Sequence, residues 1–250
     1  MKVITVTVQK GGVGKTTTAA ALAQAAVYRG RRALAIDLEP QGNLGFALGA
    51  NPAAETGTAY NLIMGAPAAE CIQTTAQGID FIAADIDLAT ITSGTGSARR
   101  LRRALEPIRD SYDLIIIDTV PTPGELMYNA LMAADGLVIP LEADAYNLQS
   151  LYQMTNTARQ IQAANDDLQI LGLVLTKHDN RTTFGRQLRE MATKQAAEQG
   201  IPFLGAIRNT IKVKEAAGLQ KSLFSYAPAR PAAIDYLEIY SKVTHDAQEV

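Results

Sequence analysis

Gln9-Lys10-Gly11-Gly12-Val13-Gly14-Lys15-Thr16-Thr17 is the stretch on which the fold turns. Before it, Val3 to Val8 is a run of β-branched residues without charge, as in a buried strand; after it, Thr16 to Arg29 has the Ala and Leu content of a helix. A strand, a tight glycine-rich turn and a helix form the setting of a phosphate loop. Successive backbone N–H groups must converge on the phosphates, and side chains at Gly11, Gly12 or Gly14 would obstruct that approach. The helix N-terminus adds partial positive charge. Lys15 then reaches the β and γ phosphates, and the Thr16 hydroxyl can ligate Mg²⁺. Gly11, Gly12, Val13, Gly14, Lys15, Thr16 and Thr17 are the candidate nucleotide contacts.

Strand-like apolar runs recur at Ala33 to Ile36, Ile79 to Ala83, Leu114 to Ile117, Leu137 to Leu141, Leu168 to Leu175 and Phe203 to Ile207. Helical patterns fall mostly between them, at Ser97 to Ile108, Leu126 to Ala133, Asn147 to Ala164, Phe184 to Gln199 and Ala232 to Val243. This alternation implies an α/β fold of the three-layer P-loop NTPase kind, a mainly parallel twisted sheet flanked by helices on both faces. Ligands of such sheets bind at the carboxyl ends of strands, where the loop already lies. Gly42 to Gly78, rich in Ala, Gly and Pro, is expected to form short helices and loops. No repeat or long linker divides residues 1–250, so a single domain is expected, with no helix-turn-helix module before it and hence no operator-specific repressor role.

Two further strands end in acids. Ala33-Leu34-Ala35-Ile36-Asp37-Leu38-Glu39-Pro40-Gln41-Gly42-Asn43 runs from an apolar strand into carboxylates and a turn, and Tyr112-Asp113-Leu114-Ile115-Ile116-Ile117-Asp118 ends in a buried-strand aspartate, matching a Walker B element. Carboxylates at strand ends beside a phosphate loop can organise Mg²⁺ and an attacking water. Thr16, Asp37 and Asp118 are therefore the candidate metal residues. The plainer role for Asp37 is an N-cap or turn residue.

Composition sets bounds. A chain of 250 residues, 47% hydrophobic and 19% charged, buries about three quarters of its unfolded surface without external staples. There is no run of eighteen apolar residues and no basic, apolar leader, so a cytoplasmic protein is expected. Cys71 is the only cysteine, which excludes an internal disulfide or a Cys-x-x-Cys metal site. Net charge is −2, yet Thr176 to Arg230 holds ten basic residues against four acidic ones, leaving −8 for the rest. A basic third on an acidic protein suits a DNA-contacting face or a solvated helical surface.

The generic phosphate loop has glycine six positions before its lysine; here Gln9 stands there, followed by Lys10. Lys10-Gly11-Gly12-Val13-Gly14-Lys15-Thr16-Thr17 resembles the deviant Walker A motif of the ParA/MinD ATPases, whose first lysine reaches across a dimer interface to the partner's nucleotide. The resemblance implies that Lys10 acts in trans and that ATP is sandwiched between protomers. In that group the acidic segment usually reads Asp-x-Asp-Pro-Gln-Gly-Asn, its second aspartate orienting water. Glu39 replaces it here. The extra methylene shifts the carboxylate by roughly an ångström, a scale that can cost about 10²-fold in rate, so slow hydrolysis and a retreated loop are both open. Lys10, Lys15, Asp37 and Glu39 are the candidate catalytic residues. Thr119-Val120-Pro121-Thr122-Pro123-Gly124 occupies the family's switch segment, with Val120 in place of its first proline.

Similarity to chromosomal and small plasmid ParA (Soj-like) proteins extends over nearly the whole chain, through Leu101-Arg102-Arg103-Ala104-Leu105-Glu106-Pro107, Ile139-Pro140-Leu141 with Tyr146 and Leu148, and Gly172-Leu173-Val174-Leu175-Thr176 with Asp179-Asn180-Arg181-Thr182. Arg208-Asn209-Thr210-Ile211-Lys212-Val213-Lys214-Glu215-Ala216 resembles the segment that carries base contacts and DNA-binding residues, with one residue inserted and Ile207 where proline is usual. Arg208 and Asn209 are thus candidate nucleotide contacts, and Arg186, Arg189, Arg208, Lys212 and Lys214 candidate DNA contacts.

The resemblance implies an ATPase that needs Mg²⁺, dimerises with ATP, binds nonspecific DNA, associates with the nucleoid in that state, and partitions a plasmid or chromosome. A ParB-like or other cargo adaptor would stimulate an otherwise slow hydrolysis. Relatives that position division proteins, flagella or protein compartments would read alike. A membrane tether is not expected, because the last helical segment, with Asp235, Glu238, Lys242, Asp246 and Glu249, is mixed to acidic. Thr176-Lys177-His178-Asp179 is also how signal-recognition GTPases read guanine, but the ParA group already has Thr-x-x-Asp there, which favours ATP. A metabolic amidase or ligase on this scaffold would need convergent Cys, His or Ser groups; His178 and His245 lie outside the site motifs and are expected at the surface.

Overall fold

The computed structural model describes residues 2–91, 98–142 and 148–245. Eight strands form one sheet: β1 Val3–Val6, β2 Ala33–Asp37, β3 Gln73–Thr74, β4 Asp80–Ile82, β5 Leu114–Asp118, β6 Gly136–Glu142, β7 Gln169–His178 and β8 Phe203–Arg208. Their order is β3-β4-β2-β5-β1-β6-β7-β8. Only the short edge strand β3 runs antiparallel, against β4. The helices are α1 Lys15–Tyr28, α2 Asn43–Leu48, α3 Ala59–Met64, α4 Ala68–Cys71, α5 Arg100–Leu105, α6 Glu125–Ala133, α7 Leu148–Gln162, α8 Thr183–Glu198, α9 Ile211–Gly218 and α10 Arg230–Thr244.

Alternation along the central strands assigns the two faces. Ile4, Val6, Ala33, Ala35, Leu114 and Ile116 point to a core shared with α1, α2, α9 and α10. Val3, Leu34, Ile36, Ile115 and Ile117 point the other way, toward α3, α5 and α6, and the β6 and β7 residues Leu137, Ile139, Leu173 and Leu175 meet α6, α7 and α8 there. The sheet is buried on both sides, hence its unbroken apolar strands. Helix α1 is buried on nearly every side, with Ala19, Ala20, Ala21, Ala23, Ala25 and Ala26 in the core. Small side chains let it lie close to the sheet, and that fixes where its N-terminus, the end of the loop, must sit.

Element ends differ from the sequence expectation in informative ways. β1 stops at Val6, two residues short, while β7 runs on to His178, three residues past the expected end. The strand carries His178 inside: it is 4% exposed, with neither ring nitrogen hydrogen-bonded. The expectation of a surface histidine is therefore wrong there, although His245 is exposed. β3 and α9 had no anticipated counterpart. α9 is announced by Thr210, whose hydroxyl caps the amide of Lys212 at 3.2 Å. The anticipated starts of α5 and α7 at Ser97 and Asn147, together with Tyr146, Asp246 and Glu249, lie outside the described residues.

Candidate active site

The loop leaves β1 at the centre of the sheet and closes at Gly14, whose φ of 89° is left-handed, as is that of Gly12 at 78°. Glycine adopts that region at no steric cost, and a side chain would not. Val13 is 1% exposed and anchors the loop in the core. Gln9 Nε2 donates to Thr157 Oγ1 on α7 at 2.9 Å, which ties down the loop's first residue. Lys15 is only 7% exposed and its ammonium donates to the Lys10 carbonyl at 3.0 Å. Burial lowers its pKa, and the facing carboxylates of Asp118 and Glu39 partly restore it.

Strand register does what the sequence could not show: it sets Asp37 of β2 directly beside Asp118 of β5, and Asp118 beside Val6 of β1. Both aspartates are 0% exposed. Asp37 Oδ1 accepts from the amide of Glu39 at 2.9 Å and Oδ2 from that of Leu44 at 3.0 Å, so this carboxylate shapes the turn that presents Glu39. The turn-residue role and the site role of Asp37 are thus compatible. Neither oxygen of Asp118 makes a hydrogen bond of good geometry, although the Thr16 hydroxyl and the Thr119 amide stand near enough to act on it. Burial, above all, raises Asp37 to about 7, with the charge of Glu39 adding. Burial and then the Asp37 charge raise Asp118 to about 8, only partly offset by the Thr16 hydroxyl, Lys15 and the Thr119 amide.

An orphaned buried carboxylate next to a hydroxyl is a fitting place for a hard cation. Among the described residues no group of three or more His, Cys, Asp or Glu is arranged to hold a metal unaided. A cation there would share Thr16 and Asp118 with phosphate oxygens and water, as Mg²⁺ prefers. Glu39, Gln41 and Asn43 face Gly11, Gly12, Gly14, Lys15, Thr16 and Thr17 across a cleft of ≈ 830 Å³, closed by Phe46 of α2, Pro121 of the switch segment and Val213 and Lys214 of α9.

A family model described as an AAA domain matches residues 1–170. The chain is 37% identical over 249 residues to the sporulation initiation inhibitor protein Soj of Bacillus subtilis, covering 97% of this chain and 98% of that protein. It is 35% identical over 243 residues to the chromosome-partitioning ATPase Soj of Thermus thermophilus, covering 96% of this chain and 94% of that protein. The chain belongs to the ParA/Soj family. A solved structure, cobyrinic acid a,c-diamide synthase from Mycobacterium smegmatis with bound ADP and magnesium, superposes with a TM-score of 0.81 at 30% identity, covering 99% of this chain and 96% of that one.

On this ParA/Soj framework the remaining candidate residues separate. Arg208 is held by Asp235 through two bonds of 2.7 Å, and Lys212 by Glu215 at 2.9 Å. The backbone amide of Asn209 donates to the His178 carbonyl at 2.8 Å, which places the β8–α9 turn beside the end of β7. Arg186 and Arg189 lie on α8, whose buried Ala192 and Ala196 pack on one face of the sheet; Ala216 of α9 packs on the other. The basic third is therefore divided between two sides of the molecule. Asp179 gives one oxygen to the Arg181 amide and Nε and the other to Nη2, at 2.9–3.0 Å. Those bonds hold its pKa down, to about 2.

Sequence reading missed two residues that touch the loop, Thr176 and Lys177, and the tie from Gln9 to Thr157. Thr176 could have been found from its place at the end of an apolar strand in an α/β sheet. Lys177 could not, since no local pattern tells a solvated lysine from one folded back. Among the described residues no helix is long and apolar enough to cross a membrane, and the apolar face of α10, with Tyr236, Ile239 and Val243, is buried in the core.

Proposed function

We propose that this protein is an ATP- and Mg²⁺-dependent partition switch: an ATP-sandwich homodimer that binds nonspecific DNA, collects on the nucleoid, and lets go when a ParB-like adaptor stimulates hydrolysis. The observation that carries this is the buried, unneutralised Asp37–Asp118 pair beside a left-handed glycine nest, in a chain matching Soj proteins end to end. The pair calls for a cation and the nest for phosphate.

In this reading the amides from Gly11 to Thr17 and the Lys15 ammonium bind the phosphates. Thr16 and Asp118 hold Mg²⁺, which when bound neutralises charge on the transferring phosphoryl group. Asp37 fixes the turn so that Glu39 orients the attacking water. Lys10 reaches the partner's nucleotide, and Arg208 and Asn209 flank the base. The occupied carboxylate of Asp179 supports ATP over GTP, since guanine would have to displace Arg181. The name of the Mycobacterium smegmatis relative points instead to ATP-dependent amidation; against it, no Cys, His or Ser lines the cleft among the described residues.

Gel-shift titrations with ATP, ADP and no nucleotide test the switch, beside gel filtration of the wild type and Lys10→Ala. Shifted DNA and a dimer are expected with ATP alone, and Lys10→Ala should stay monomeric. Equal DNA binding in all three nucleotide states would end the proposal.

A further inference from the structure

The end of β7 grips the phosphate loop, and Lys177 also lines the cleft beside Gly12 and Gly14. Thr176 Oγ1 donates to the Val13 carbonyl at 2.8 Å. The Lys177 ammonium donates to the Gly12 carbonyl at 2.8 Å and to the Glu142 carboxylate at 2.7 Å. Two consecutive loop carbonyls are thus held by two consecutive residues of one strand. A trans peptide is planar, with its C=O and N–H on opposite sides. Holding the Gly12 and Val13 carbonyls toward β7 turns the amides of Val13 and Gly14 the opposite way, away from β7.

Neighbouring strand residues ordinarily point to opposite faces. Thr176 and Lys177 both reach the loop because Lys177 has φ 51°, at the irregularity in the β7–β8 pairing between Leu175 and His178. Left-handed backbone disfavours any residue with a Cβ, and it persists where surrounding contacts over-determine it. The contacts here are Gly12 and Glu142.

We propose that Lys177 is a positioning residue for triphosphate binding, which holds the Gly12–Val13 peptide in its phosphate-binding orientation while Glu142 holds the ammonium. The inference rests on the nucleotide-site reading and needs neither dimer nor DNA. It gives the lysine of Thr-Lys-x-Asp work on the loop, not on the base.

The test is titration of a fluorescent ATP analogue with Mg²⁺ into the wild type, Lys177→Met, Lys177→Gly and Lys177→Arg, with Lys15→Ala as reference and nucleotide-free melting curves for each. Lys177→Met should bind about tenfold more weakly, the scale of one charge-assisted hydrogen bond. Lys177→Gly should lose as much affinity while melting no lower than the wild type, because glycine accepts φ 51° freely. Lys177→Arg, which keeps donors for both acceptors, should recover most of the affinity. If Lys177→Met or Lys177→Gly binds within about twofold of the wild type while Lys15→Ala does not bind, the positioning role is overturned and the nucleotide site stands. If Lys15→Ala also binds normally, the nucleotide-site reading itself falls.

Discussion

The phosphate-loop end of the sheet and the basic C-terminal third were both conspicuous in the sequence, yet the structure treats them differently. Around the loop it concentrates chemistry: Thr176 and Lys177 of β7 bond to Val13 and Gly12, and Asp118 of β5, side by side with Asp37 of β2, acts on Lys15. In the basic third it disperses charge, setting α8 and α9 on opposite faces and neutralising Arg208 and Lys212 with local acids. A motif is a statement about adjacent backbone groups, and those cannot be separated by folding. A count of lysines and arginines is a statement about composition, which folding is free to distribute.

Four experiments put this contrast at risk. The largest effect is expected at the loop: Lys15→Ala should lower ATP turnover by about two to three orders of magnitude, as loss of a charge-stabilising donor does, read by single-turnover phosphate release. Unimpaired release would remove the loop from the chemistry.

Next comes the acid pair. Because burial holds both carboxyls above the ordinary range of about 4, the folded protein binds more protons than the unfolded chain between that pH and about 8. Metal-free stability should therefore fall as pH rises through that window. Urea midpoints at pH 5 and pH 8 in EDTA should show the decline, and Mg²⁺ with ATP should flatten it. Asp118→Asn removes one charge from the pair and should raise metal-free stability at pH 8 by on the order of 2 kcal/mol while weakening Mg²⁺-dependent nucleotide binding. A pH-independent midpoint in the wild type would show that the pair is already neutralised.

Smaller effects are expected in the basic third. If α8 grips DNA, the double variant Arg186→Ala, Arg189→Ala should make the log–log salt dependence of DNA binding shallower by about 0.9 for each phosphate that the variant no longer neutralises. Lys214→Ala would then leave the slope alone; the reverse result would assign the grip to α9. The smallest change should come from Arg208→Ala. Its guanidinium is about half exposed and already paired with Asp235, so stability should fall by no more than about 1 kcal/mol and DNA affinity should barely move. A large loss of DNA binding would mean that the pair opens to take phosphate.

The alternation of the main strands and helices, though not β3 or α9, the loop with its glycines and the two strand-end acids were legible from sequence alone, because hydrophobic period and turn chemistry are local. So were the departures at Gln9, Lys10 and Glu39, which are identities and need no geometry. It took the folded chain to show that Asp37 and Asp118 are neighbours and that His178 is buried. Folding also turned Lys177 back on Gly12 and divided the basic third between two faces. Those facts depend on strand register and on which helix covers which face, and both are settled by packing between segments some 35 to 165 residues apart.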